Sequence, residues 1–109
     1  MRTVYSILVV EKDIEIIHIE FNNEAKKIFF LLYKKFANSV KAIDRRKDDN
    51  VFQLLKGKYT YTLKQQLEEL AKSLLTKYKA TANLNQLERS LTNEINTYTN
   101  EFDRKAGSL

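Results

Sequence analysis

The stretch FFLLYKKFANSVKAI, residues 29–43, decides the fold. Its apolar side chains recur at spacings of four, three, four and three residues: Phe29, Tyr33, Phe36, Val40 and Ile43. That spacing places them on one side of an α-helix. Asn22 or Asn23 offers an N-cap, and Glu24 supplies an acidic first turn. We therefore predict one long helix from about residue 22 to Arg46.

The second half of the chain carries two further helical seams. These are Leu63, Leu67, Leu70, Leu74 and Tyr78, followed by Leu87, Leu91, Ile95, Tyr98 and Phe102. We expect the first of these helices to begin near residue 60 or 62 and the second to run from residue 83 or 85 to Gly107, with a break at 81–83. A polar break at 48–50 and a short helix over 51–56, ended by Gly57 in a left-handed conformation, complete the prediction. The fold class is mainly α, a single domain over residues 1–109 forming a small bundle of three to four helices.

Residues 3–21 are compatible with two structures. Their many β-branched residues favour a β-hairpin, with strands at about 4–10 and 14–20. The same segment also carries a helical seam at 3-4-3-4 spacing, which consists of Ile7, Val10, Ile14, Ile17 and Phe21. We prefer the N-terminal hairpin (residues 4–20) and keep the helix as the alternative.

Composition removes most catalytic classes. The 109 residues include no cysteine, no proline, two glycines and one histidine, so thiolate metal sites and glycine-rich phosphate loops are excluded. His18 lies among isoleucines, where a structural imidazole is a better interpretation than a catalytic one. No apolar stretch is long enough to span a bilayer. We expect a cytoplasmic protein that is not an enzyme, with no cofactor, no metal and no membrane partner.

The net charge of +5 is concentrated in the middle of the chain. Residues 22–58 contain eight lysines and two arginines against four acidic residues, a net charge of +6.

 In the first long helix, Lys27, Lys34, Lys41 and Arg45 fall within about 40° of one another at roughly 100° per residue. They form a cationic stripe opposite the apolar seam, and Arg46, Lys47, Lys56 and Lys58 extend it.

A row of cations on one helix can follow a phosphate backbone, because each neutralised phosphate releases condensed counterions. Tyr59 and Tyr61 beside the basic residues are candidates for stacking on unpaired bases. The alternative is a solvated helix face, with the nearby aspartates paired to the arginines. These aspartates, Asp44, Asp48 and Asp49, are interpreted as capping or solvated residues and not as a metal site.

In size, basic balance, helical build and absence of catalytic residues, residues 22–105 resemble the small helical subunits of CRISPR interference complexes. The resemblance implies a ribonucleoprotein subunit of antiviral defence that is DNA-binding or RNA-binding. It also implies that Lys27, Lys34, Lys41, Arg45 and Arg46 face the nucleic acid. The remaining apolar surface would then pack on larger subunits or on copies of the chain.

Two other interpretations remain open. The first is a protein-interaction module, such as a phage or plasmid inhibitor or an oligomeric adaptor, whose seams pair with partner helices or whose hairpin extends a partner's sheet. The second, less favoured, is a helix-turn-helix regulator with its first helix at residues 67–74. Its reading helix would cover residues 84–103, where Arg89 is the only cation among four acidic side chains.

Overall fold

A computed structural model describes residues 2–78 and 84–109, with side chains described from Ile14 onward. It contains three helices: α1 (Arg2–Val40), α2 (Arg45–Lys77) and α3 (Leu84–Gly107). The N-terminal half of α2 contacts the C-terminal parts of α1 and α3, whereas its C-terminal half lies beside Glu20 and Glu88, so α2 runs antiparallel to both helices. The mainly helical fold class and the bundle are therefore confirmed.

The three helices bury their seams against one another around Phe36. The Phe36 ring lies 5.5 Å from that of Phe52 and 6.2 Å from that of Phe102, between ring centroids. The remaining buried apolar residues extend the core along the bundle: Ile17, Phe21, Ala25, Leu32, Leu63, Leu67, Ala71, Leu74, Leu87, Leu91, Ile95 and Ala106. Full burial of a large apolar side chain stabilises the fold by about 1.5–3 kcal/mol. The predicted seams supply much of this core. In α1, however, Phe36 is the one member of the 29–43 seam that is buried, and Ala25 and Leu32 from outside that seam complete the buried face.

The preferred N-terminal hairpin is wrong for its second strand, because residues 14–20 lie within α1. Ile17 and Phe21 are fully buried and Ile14 is half-buried, as the alternative helical seam predicts. Burial of these side chains against the other helices outweighs the preference of β-branched residues for strands. The first strand, 4–10, also falls within the bounds of α1, and its side chains lie outside the described residues.

The predicted helix ends need a second correction. The first helix ends at Val40 and not at Arg46, and α2 begins at Arg45, where the Asp44 carboxylate accepts a hydrogen bond from the Arg46 backbone N–H at 3.0 Å. The polar segment 48–50 is no break: it produces only a kink at Asp48, with φ −121° and ψ 38°. The short helix 51–56 is therefore part of α2. The bounds of α3 agree with the prediction, and the break expected at 81–83 lies outside the described residues.

A polar network joins α1 to α3. The His18 Nδ1 atom lies 3.0 Å from Oε1 of Glu94, and its Nε2 atom lies 3.3 Å from Oγ of Ser90. One turn further along, the Tyr98 hydroxyl donates to Oδ1 of Asn22 at 2.7 Å. These bonds fix α1 and α3 side by side in parallel register, and the imidazole takes part in that contact between helices.

Ser90, His18 and Glu94 are linked in the same order as a catalytic triad, but the backbone around Ser90 differs from that of a catalytic serine. Ser90 lies inside α3, so the backbone N–H groups around it are committed to helical hydrogen bonds. Stabilising an oxyanion requires donors that point at the reacting oxygen. We therefore interpret this network as a structural element that sets helix register.

A second polar contact lies where α2 ends beside α1. The Tyr78 hydroxyl donates to Glu20, and Nζ of Lys77 lies 3.3 Å from the same carboxylate. The hydrogen bond from Tyr78 lowers the pKa of Glu20 below its ordinary value, and Lys77 acts in the same direction. The contact therefore favours the ionised carboxylate in the folded chain.

This lowered pKa predicts a loss of stability in acid. The unfolded chain takes up the Glu20 proton first, near the ordinary pKa of 4.5, so the contribution of Glu20 is complete well above that pH and disappears as the pH falls through the lower pKa of the folded chain. Tyr78→Phe should raise the pKa of Glu20 and weaken this pH dependence. Urea unfolding at pH 7 and pH 3, with an NMR titration of Glu20, measures both effects. Tyr61→Phe is the control, and equal behaviour of the two variants would contradict the prediction.

The helical position of Gly57 gives a further prediction. Gly57 lies inside α2, and a Cβ atom added there meets nothing within 4 Å. Gly57→Ala should raise the free energy of unfolding by about 1 kcal/mol, because alanine loses less backbone entropy in a helix. Urea denaturation measures the change. A left-handed terminator at this position would instead be destabilised by alanine, so a loss of stability would contradict the structure of α2.

Candidate nucleic-acid interface

The outer face of α1 carries the exposed cations. Lys27 and Lys34 are both exposed, and they lie two turns apart, about 10 Å along the helix. The opposite side of α1 holds the buried seam of Phe21, Ala25, Leu32 and Phe36. Burial of that seam therefore directs these two lysines to the surface, as the sequence predicts.

The charge on this part of the chain is mostly uncompensated. Residues 22–43 contain five lysines and one glutamate, a net charge of +4. Glu24 pairs with Lys27, whose Nζ atom lies 3.2 Å from the carboxylate. Among the described side chains, Lys26, Lys34 and Lys41 have no acidic partner within 4 Å. Their charge is available to an external anion.

The stripe does not extend to Arg45 along one helix, because α1 ends at Val40. Lys41 lies just beyond that end and is exposed. The Arg45 side chain instead ties α2 to α3: Nη1 donates to the carbonyl of Gly107 at 3.1 Å, and the guanidinium lies 4.1 Å from the Phe52 ring centroid. It also pairs with Asp49 at 3.4 Å. Arg45 is therefore part of the fold as much as of the surface.

The remaining predicted cations are of two kinds: some are accessible, and one joins two helices. Arg46, Lys47 and Lys58 are exposed on α2. The Lys56 side chain is only 19% exposed, and its Nζ atom lies 3.5 Å from Asp103 of α3. Lys56 thus joins two helices, whereas the other three are accessible.

The two predicted stacking residues have different surroundings. The Tyr59 ring is half-buried, 5.6 Å from the Phe36 ring centroid, and its hydroxyl lies 3.2 Å from Oγ of Ser39. Tyr61 is exposed, and its hydroxyl accepts a hydrogen bond from Nε2 of Gln65 at 2.9 Å. Only Tyr61 presents a largely open ring.

A groove between α1 and α3 contains aromatic residues that the sequence reasoning missed. It has a volume of about 450 Å³, and its lining residues are Lys26, Phe29, Phe30, Tyr33, Tyr98, Glu101 and Lys105. Phe30 is 65% exposed at its edge. The available signal was the position of Phe30, an aromatic residue outside the apolar seam and one turn from lysines on either side.

No protein-family model, curated protein or solved structure matches this chain. None of the helices, over the residues searched, has the length and apolar character needed to cross a bilayer. Over the same described residues, no three His, Cys, Asp or Glu side chains are grouped as metal ligands. The interpretation of the interface therefore depends on the contacts and charges described above.

The contacts of Arg45 predict that its role is mainly structural. Arg45→Ala should lower the free energy of unfolding by about 1 kcal/mol. A fully buried hydrogen bond from a charged group contributes more, but the Arg45 side chain is 40% exposed, so solvent weakens its contacts. Arg46→Ala is the matched control: its side chain is exposed, and we expect a change within about 0.5 kcal/mol. Urea denaturation of both variants measures the difference, and equal values would contradict the assignment.

Proposed function

We propose that this protein is a non-catalytic nucleic-acid-binding subunit of a larger nucleoprotein complex, of the kind found in CRISPR interference effectors. The observation that carries the proposal is the row of exposed lysines on the outer face of α1, with Lys34 directly opposite the buried seam. A row of this kind suits the phosphate backbone of DNA or RNA. It offers no means of reading base sequence in a duplex.

The proposal has a quantitative consequence in salt. Three of the lysines without acidic partners among the described side chains, Lys26, Lys34 and Lys41, can neutralise up to three phosphates. The affinity for duplex DNA should then fall roughly 40-fold between 50 and 200 mM salt, from a slope of about −0.9 for each phosphate. Such a modest contribution suits a subunit that acts beside other nucleic-acid-binding surfaces.

One face of α2 supports association with other proteins. Val51, Leu54 and Tyr61 are exposed, and their spacing places them on one side of the helix. This face would pack on larger subunits or on a second copy. It also favours the second candidate function, a protein-interaction adaptor without nucleic acid. The helix-turn-helix interpretation lacks a comparable observation, since α2 continues without a turn to Lys77.

The double charge reversal Lys34→Glu with Lys41→Glu tests the proposal. Both side chains are exposed, so we expect folding to be unchanged by circular dichroism and thermal denaturation. Affinity for mixed-sequence oligonucleotides at 50 mM salt should fall about tenfold or more, uniformly across sequences. Fluorescence anisotropy measures the affinity, and the slope against salt should decrease by about 2.

The matched control is Lys64→Glu with Lys72→Glu on α2. These two lysines are also exposed, and the reversal changes the net charge by the same amount. Binding that weakens equally in both variants would show an effect of net charge alone and contradict a backbone contact on α1. Wild-type protein that binds no oligonucleotide would favour the adaptor.

A further inference from the structure

We infer that the groove between α1 and α3 binds an unpaired base of a single-stranded nucleic acid, with Phe30 as its exposed stacking surface. This inference rests on the proposed function and specifies its ligand. It assigns the stacking role to a site on α1 and α3, whereas the sequence pointed to Tyr59 and Tyr61 on α2.

The groove presents aromatic surface that the core leaves accessible. The Phe29 and Tyr33 rings are nearly parallel, with an angle of 13° between their planes and 6.3 Å between centroids. Tyr98 contributes the α3 side, 6.4 Å from Phe29. Phe30 remains 65% exposed at the rim. A flat base can therefore contact several rings while one side of it stays open to solvent.

Cations lie on both sides of the aromatic surface. Lys26 and Lys34 occupy positions four residues before and after Phe30, about 6 Å along the helix in each direction. On the α3 side, Nζ of Lys105 lies 5.7 Å from the Phe29 ring centroid. A nucleotide whose base stacks on Phe30 would place the phosphates on either side of it near these lysines. This combination of stacking and backbone attraction is typical of single-strand binding sites.

The one acidic residue of the groove is already compensated. Nη2 of Arg104 lies 2.6 Å from Glu101, and Nζ of Lys105 lies 4.0 Å from it. The hydrogen bond from Arg104 lowers the pKa of Glu101, so the carboxylate is ionised and paired at neutral pH. Lys26 has no such partner among the described side chains. The rim thus stays attractive to a phosphate.

These features favour a single strand over both a duplex and an apolar peptide. The bases of a duplex are stacked on one another and offer no free face to Phe30. An apolar peptide would cover Phe30 but would leave the lysines beside it without an anionic partner. An unpaired nucleotide supplies the aromatic face and the negative charge together, which neither a duplex nor an apolar peptide does.

The variant Phe30→Ala tests the inference in the full-length protein. Because this side chain is mostly exposed, we expect the fold and its thermal stability to be retained. Affinity for oligo(dT) and oligo(U) should fall about 5- to 150-fold, the range expected for loss of stacking with one base. Affinity for duplex DNA should change less than twofold. Leu54→Ala, which removes an apolar side chain that is 75% exposed on α2, is the matched control and should leave both affinities unchanged.

A second variant gives a direct signal. The chain contains no tryptophan, so Phe30→Trp introduces a single indole at the proposed stacking surface. Its fluorescence should be quenched by oligo(dT), with affinity retained or increased, and should change little with duplex DNA. Absence of quenching at saturating oligo(dT) would contradict base stacking at this position.

The outcomes separate this inference from the proposed function. If Phe30→Ala leaves single-strand affinity unchanged while reversal of Lys34 and Lys41 weakens it, stacking is wrong and the backbone contact stands. If Phe30→Ala weakens single strands and duplex equally, the ring is not selective for unpaired bases and the inference is overturned. If the wild-type protein binds neither ligand, both proposals are wrong.

Discussion

The contact of three phenylalanine rings, one from each helix, is the constraint on which the rest of the structure depends. Phe36 of α1 meets Phe52 of α2 and Phe102 of α3, and all three side chains are buried. This contact fixes the rotation of α1 about its own axis. Once that rotation is fixed, Lys34 must face solvent. The cationic surface is therefore a consequence of the core and needs no separate positioning element.

Helical periodicity predicted much of the core because it reflects the same geometry that burial requires, but it missed Ala25, Leu32 and Phe52. It predicted the N terminus poorly, since β-branched residues fit both alternatives. Strand propensities span only about 1 kcal/mol, whereas burial of Ile17 and Phe21 contributes about 1.5–3 kcal/mol each. The helix ends were also mispredicted, because a cluster of polar residues at 48–50 kinks α2 without ending it. Gly57 is helical for a similar reason: its neighbours in α2 pack on the core.

The candidate site shows where a sequence pattern stops being informative. The exposure of Lys27 and Lys34 follows from their angle to the seam, and the sequence predicted it. The contacts of Arg45 with Gly107, and of Lys56 with Asp103, join residues far apart in the chain, so no local pattern reveals them. These two cations hold α2 against α3 through their contacts with Gly107 and Asp103. Among the described residues, Lys34 on α1 makes no such contact between helices, and Arg46, Lys47 and Lys58 remain accessible on α2.

The aromatic groove adds a role for the polar network between α1 and α3. Its two walls belong to different helices, so their alignment depends on the parallel register of those helices. The bonds of His18 to Glu94 and of Asn22 to Tyr98 fix that register, because a shift of α3 along α1 would break both. An apolar seam alone tolerates such a shift better, since apolar contacts are not directional. The network therefore keeps Lys105 beside Phe29, and through it the structural imidazole supports the proposed binding surface.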